Sequence, residues 1–295
     1  MQNQFLLNAL HITIDGLFDS VPILLSFMIL SFGAQEKDAG VIIALINMVN
    51  TLAGLFTIIF SRHFGLFRTL SLLTFLGGLG FFANTFSHDI YLVGFFFIIG
   101  NAGFGLFHNV AFSYLSASCE KGSVGKAIGD FSAIGDIGRI PLASLTGFIA
   151  AFTILGFPGW RVVCFTYGLG ALLFAGYILL FSSYRKEKPD REHLSMEQKK
   201  HLPSFSMLHN RQYALPISAS VLDAFGSNQV FAFLPFLLFA KGIDPKILGA
   251  FAFAFTFGCL LGKIALGRAV DLFGTRKVFV VSELLMAILL VALLL

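Results

Sequence analysis

The sequence predicts an all-α membrane protein of nine spanning helices, six in an N-terminal bundle and three in a second bundle. Three observations predict it. Of 295 residues, 57% are hydrophobic and only 12% charged, with mean hydropathy +0.85; soluble domains carry about twice that charged fraction. The apolar residues gather in runs of the ~20 residues that a helix needs to cross the hydrocarbon core. Those runs are continuously apolar, not alternating, so they read as helices and not as barrel strands. With 37 Phe and one Trp, the chain has more apolar surface than one soluble core can bury, and the bilayer becomes its solvent.

The runs lie at 5–32, 39–60, 66–86, 90–118, 124–155 and 160–183, then at 213–240, 246–267 and 278–295. A polar stretch at 184–212 separates the sixth from the seventh. It carries Arg185, Lys186, Lys188, Arg191, Lys199 and Lys200 among Glu187, Asp190, Glu192 and Glu197, and reads as a solvated linker. The domains are therefore 1–183, a six-helix bundle; 184–212, the linker; and 213–295, helices 7 to 9. Fourteen Lys and Arg fall in loops on one side and four on the other. By the positive-inside rule the N-terminus and the linker face the cytoplasm.

The pI near 9.0 does not point to nucleic acid, because the basic residues cluster in those loops. Cys119, Cys164 and Cys259 are scattered and have neither metal nor redox spacing. The first run is too long, and lacks the basic leader, for a cleavable signal. There is no nucleotide-binding loop, zinc-ligand cluster or nucleophile elbow. No catalytic residue, cofactor or metal is expected; the expected partners are the lipid bilayer, a small-molecule substrate and protons, and the chain is expected to be monomeric.

Two landmarks repeat at nearly one offset. Asp15-Gly16-Leu17-Phe18-Asp19-Ser20 is echoed by Asp223-Ala224-Phe225-Gly226-Ser227, and Gly65 by Gly274. This suggests a duplicated six-helix unit, of a kind known to bind substrate between its copies.

Between helices 8 and 9 lies Gly267-Arg268-Ala269-Val270-Asp271-Leu272-Phe273-Gly274-Thr275-Arg276-Lys277, a charged, glycine-punctuated hairpin. Gly267 and Gly274 permit a tight turn, Asp271 sits at a helix boundary, and Arg276 and Lys277 stay in water. The pattern G-x-x-x-D-x-x-G-x-[RK]-[RK] resembles the loop signature of the major facilitator superfamily. Further stretches are similar to its fosmidomycin-resistance-like efflux group. They are His11-Ile12-Thr13-Ile14-Asp15, the run Gly100-Asn101-Ala102-Gly103-Phe104-Gly105-Leu106-Phe107-His108, and the segments 126–142 and 251–277. Asn109 stands where that group has proline, helix 5 carries Asp136 and Arg139, and Ser61 or Arg62 replaces the acid of the first-half hairpin. The resemblance implies a major facilitator fold and a secondary transporter, proton-coupled and exporting a small drug-like or metabolite molecule from the bacterial inner membrane. It leaves uptake of an organic solute open as the alternative. Six plus six helices would be usual; with nine runs, the chain is expected to be truncated after the ninth helix, and a non-transporting remnant is a further alternative. The resemblance also implies that Asp271 and its basic neighbours latch one conformation.

Charges inside a membrane are costly and mark function. They are Asp15, Asp19, Asp130, Asp136, Asp223 and Glu283 against Arg139 and Lys263. Counting from the cytoplasmic end at ~1.5 Å per residue puts Asp15, His108, Asp136 and Asp223 in one midplane layer. Asp19 and Arg139 lie slightly deeper; Lys263, Glu283 and Asp130 are shallow. Arg139 is expected to pair with Asp136 or Asp19, and Lys263 with Glu283 or Asp130. That leaves Asp15, Asp223 and His108 without an evident partner. A carboxyl group lacking a counter-ion in a low-dielectric site exchanges a proton near neutral pH, and histidine is the side chain suited to that range. Asp15, His108 and Asp136 are thus the proton-coupling candidates. Asp19, Asp223 and Arg139 are the substrate-cavity candidates.

Overall fold

The computed structural model describes residues 2–64, 66–118, 124–184 and 210–294. Among them are nine long helices. The first bundle holds α1 (Gln2–Phe32), α2 (Glu36–Phe64), α3 (Leu66–Asn84), α4 (Ile90–Ser118), α5 (Val124–Ala150) and α6 (Gly159–Tyr184). The second holds α7 (Arg211–Ala240), α8 (Leu248–Phe273) and α9 (Thr275–Leu294). Over 185–209 the expected linker lies outside the described residues, as does Gly65 of the repeat.

Local chemistry sets the helix ends. Gly33 turns the chain out of α1 with φ +63°, a conformation glycine adopts without a side-chain clash. Asp38 Oδ2 accepts from Gln35 N at 3.0 Å, and Asp89 Oδ1 accepts from Leu92 N at 2.8 Å. Each carboxylate meets an amide that a helix start leaves without a partner.

Two boundaries differ from the expectation by more than four residues. The fifth helix stops at Ala150 instead of continuing to 155, and Thr153–Ile154 pairs with Phe157–Pro158 in a small antiparallel hairpin, β1–β2. Leu155 and Gly156 both have positive φ, 51° and 82°, as a two-residue primed turn requires. The eighth helix runs six residues past 267, to Phe273. The hairpin after it is a single residue, Gly274 at φ +82°. Gly267 is therefore helical, not part of the turn, and Asp271 lies in the last turn of α8, with its side chain outside the described residues. Arg276 and Lys277 are exposed.

In the first bundle α1 packs on α5, α3 on α4 and α6, and α2 on α4. The second bundle meets it chiefly through α8 on α5, with α7 leaning on α1 and α2. The α5–α8 contact is backbone-close: a Cβ on Gly147 would come within 2.6 Å of the Gly249 backbone. Small residues at such crossings are how membrane helices approach in the absence of a hydrophobic driving force. Phe27 of α1 meets Phe239 of α7 edge to face, with centroids 5.6 Å apart.

Five helices contain, among the described residues, a stretch long and apolar enough to cross a membrane: Phe5–Phe32, Leu66–Asn84, Ile90–Leu115, Gly159–Leu180 and Pro245–Lys263. α5 falls outside that set because Asp136 and Arg139 interrupt its apolar run. Large apolar side chains cover the outside, Tyr91, Leu173, Leu180 and Leu222 among them. A surface of that kind needs lipid or protein against it.

One polar clamp closes the end of the first bundle opposite the linker. Arg161, at the start of α6, donates to the carbonyls of Thr85 and Ser87, the latter at 2.7 Å, and its guanidinium stands near the Trp160 ring. Hydrogen bonds from a charged donor contribute ~1.5–3 kcal/mol each. Arg161→Ala is expected to destabilise the fold by about 2 kcal/mol, read as a lower unfolding temperature in detergent. An unchanged transition would show that the clamp contributes nothing.

Candidate functional site

α1 supplies three polar side chains four residues apart, His11, Asp15 and Asp19, which one helical face presents together. That face looks into the bundle: Asp15 is 2% exposed. α4 brings His108, α5 brings Asp136 and Arg139, and α8 brings Lys263. All seven join in one network of charge.

Its centre is Arg139. Nε lies 3.3 Å from Asp15 Oδ2 and 3.3 Å from Asp19 Oδ2, and an outer guanidinium nitrogen lies 3.4 Å from Asp136 Oδ1. Both expected pairings of Arg139 therefore occur at once, with Asp15 as a third partner. Lys263 Nζ sits 2.7 and 2.6 Å from the two oxygens of Asp136. This differs from the expected pairing with Glu283 or Asp130. The cause is the longer eighth helix: with the end at Phe273, Lys263 lies ten residues in, level with Asp136 and not in a shallow layer. Asp130 is exposed on α5.

On the far side of Asp15, His108 Nε2 lies 2.9 Å from Oδ1 and His11 Nε2 lies 3.2 Å from Oδ2. Asp15 and His108, expected in one layer without an ion-pair partner, are each other's neighbours. His11 was not a candidate in the sequence, although its four-residue spacing to Asp15 was the available signal. Its Nδ1 lies 2.9 Å from the Phe131 carbonyl, and its ring stacks on the Phe131 ring at 4.0 Å between centroids. Gly135 of α5 faces this cluster; a Cβ there would collide with Asp15 Oδ2. Of the other candidates, Asp223 lies on α7 with its side chain outside the described residues.

Among the described residues this layer holds three carboxylates, Asp15, Asp19 and Asp136, against two permanent cations, Arg139 and Lys263. With neutral histidines it is one positive charge short. Burial makes such an imbalance expensive.

A cavity of about 530 Å³ opens beside the layer, between the two bundles. Asp19, Asp136 and Arg139 line it together with Asn47 of α2, Asn101 of α4 and Thr256 of α8, under the rings of Phe18 and Phe255. Asn101 Oδ1 is buried there without a hydrogen-bond partner. Mostly apolar walls carrying a few convergent polar groups are the usual lining of a small-molecule site.

The family model described as Major Facilitator Superfamily matches residues 5–295. The chain belongs to this superfamily. Membership makes it a multi-pass integral membrane transporter and not an enzyme. No curated protein gives a significant match. Among solved structures, the fold is similar to a D-xylose–proton symporter at TM-score 0.66 and 18% identity, over 91% of this chain and 69% of that one. It is also similar to the xylose transporter XylE from E. coli, in a partially occluded inward-open conformation, at TM-score 0.64 and 18% identity, over 92% and 74%. In major facilitator terms, α1–α6 are the N-terminal bundle and α7–α9 are helices of the C-terminal bundle. The cavity then lies where the two bundles meet.

Proposed function

We propose that this chain is a proton-coupled secondary transporter that carries a small organic molecule through the 530 Å³ cavity by alternating access. The observation that carries the proposal is the charge-deficient layer on the cavity wall, with Lys263 of one bundle holding Asp136 of the other. One proton makes the layer neutral. Asp19 and Asp136 are the carboxylates that border the cavity. Asp15, with His108, forms the buried end of the same network and draws on the same arginine.

The physical consequence is a switch. A deprotonated Asp136 attracts Lys263 by about 4 kcal/mol at 4 Å and an effective dielectric of 20. A protonated Asp136 loses most of that attraction, so α5 and α8 are released to change their crossing. A proton on Asp19 similarly frees Arg139 to spend its donors on Asp15 and Asp136. The partnerless Asn101 carbonyl and Thr256 offer hydrogen bonds to substrate. Asp223, related to Asp15 by the repeat, is the C-terminal bundle's candidate for contact with substrate.

The resemblance to the fosmidomycin-resistance-like group favours export of a drug-like or metabolite molecule from a bacterial inner membrane, by a monomer with a cytoplasmic N-terminus. Its halves are then 1–183 and 213–295, joined by 184–212. The fold-level likeness to a D-xylose–proton symporter favours the second reading, uptake of an organic solute. Gly267, Asp271, Gly274, Arg276 and Lys277 serve as the conformational latch.

The test is substrate-driven proton movement in proteoliposomes containing a pH dye, with the direction of the imposed gradient reversed in a parallel set. Wild type is expected to move protons with substrate in one direction. Asp19→Asn and Asp136→Asn are expected to lose the proton signal. Wild-type transport of every substrate class without proton movement would end the coupling proposal.

A further inference from the structure

His11, Asp15 and His108 bring three metal-ligand types together at the buried end of the charge network. We propose that they bind one divalent transition-metal ion of the Zn²⁺ or Co²⁺ type inside the N-terminal bundle. The donor atoms already converge. His11 Nε2 and His108 Nε2 are 3.2 Å apart, His11 Nε2 is 3.2 Å from Asp15 Oδ2, and His108 Nε2 is 2.9 Å from Oδ1. A tetrahedral ion with bonds of ~2.0–2.1 Å needs donors ~3.3–3.4 Å apart; the imidazole–imidazole and His108–Oδ1 separations are a few tenths of an ångström tighter than that, and one ligand atom from each of the three residues lies within 4.8 Å of the others.

The tautomer of His11 sharpens the case. The Phe131 carbonyl only accepts, so Nδ1, 2.9 Å away, carries the hydrogen. A neutral His11 then points its Nε2 lone pair at a carboxylate oxygen and at a second imidazole nitrogen. The lone pairs of His11 Nε2 and Asp15 Oδ2 then meet at 3.2 Å, a contact that a bound proton or a bound metal cation relieves. A metal-ligating histidine usually has its other ring nitrogen donating to a carbonyl in this way. The ring cannot turn aside, because Phe131 stacks on it 4.0 Å between centroids, at 9°. Asp15 Oδ1 is buried without a well-directed hydrogen bond, and Gly135 leaves the space open.

The other charges are accounted for. Arg139 Nε approaches Asp15 Oδ2 at 3.3 Å, so the ion binds through Oδ1 while Oδ2 stays with the arginine. Asp19 and Asp136 share Arg139 with Asp15 and offset its repulsion. The side chain of His108 is 32% exposed, which gives the ion a path in and a water as fourth ligand. Two imidazoles and one carboxylate suit zinc, cobalt or nickel, and not calcium or magnesium, which prefer all-oxygen shells.

The test uses the full chain in detergent, purified without a histidine tag and titrated with Co²⁺. The expected result is one equivalent bound, with the intense visible absorption of a four-coordinate site. His11→Gln and His108→Gln are each expected to weaken binding at least ~100-fold, more than the loss of a supporting group does. His88→Gln, on the surface, is expected to leave it unchanged. Because a variant can fail to fold, wild type is also treated with diethylpyrocarbonate. Bound Zn²⁺ is expected to protect His11 and His108 from modification, read by peptide mass. A wild type with no saturable Co²⁺ spectrum, a spectrum that survives in both variants, or unprotected His11 and His108 would each overturn the site.

Discussion

Arg139→Ala is expected to be the most damaging single substitution in this protein. It removes the cation that Asp15, Asp19 and Asp136 share at 3.3–3.4 Å and leaves three carboxylates with Lys263 as their one permanent counter-charge among the described residues. Breaking a buried pair by deleting one partner costs ~3–5 kcal/mol, because a charge is left uncompensated. The variant should unfold well below wild type in detergent and should transport nothing. Restoring the balance should recover the fold without the function: Arg139→Gln combined with Asp19→Asn removes one charge of each sign. Its unfolding temperature is expected to return most of the way to wild type, while proton-driven transport stays absent. An Arg139→Ala protein as stable as wild type would mean that the layer is solvated and that its ion pairs are of the weak, exposed kind.

Asp136→Asn carries the second large effect, on coupling. Asparagine keeps the shape of the side chain but holds no exchangeable proton and no longer attracts the Lys263 ammonium, now 2.6–2.7 Å from it. Proton-driven accumulation is expected to fall about 100-fold, the factor that about 2.7 kcal/mol produces. Exchange of labelled for unlabelled substrate at equal pH needs no net proton movement and should survive within a few-fold. Lys263→Gln should reproduce the defect from the other bundle, and the double variant should be no worse than either single one, since both changes remove one interaction. Accumulation that withstands Asp136→Asn would move the proton to Asp19 or Asp15, which the corresponding asparagine variants then separate.

Much of this site could be read along the chain. Asp15, Asp19, Asp136, Arg139 and Lys263 stand out because an ionisable residue in an apolar run is visible without any structure. A depth count was enough to group most of them. It misplaced Lys263 because the end of α8 was set at 267, and six residues of helix shift depth by about 9 Å at ~1.5 Å each. His11 ranked low because the count put it nearer the membrane surface, whereas its side chain is buried in the bundle. Gly274 was legible as a turn, whereas Gly267 was not distinguishable from one: both are glycines flanking charge, and only the backbone shows that one is helical.

The sequence alone determined that the chain enters a membrane, about where its helices run, and which of its residues are too costly to be there without purpose. Those properties are local: hydrocarbon thickness sets the length of an apolar run, and desolvation makes each buried charge conspicuous. Only the tertiary structure decided who meets whom. His11 and His108 are 97 positions apart and Asp136 and Lys263 are 127 apart, and their encounters depend on how each helix is rotated about its axis. In a bilayer both the lipid face and the packed face of a helix are apolar, so hydrophobic periodicity reports that rotation weakly. The close backbone crossings, such as Gly147 on Gly249, settle it instead, and with it the shared arginine and the cavity beside it.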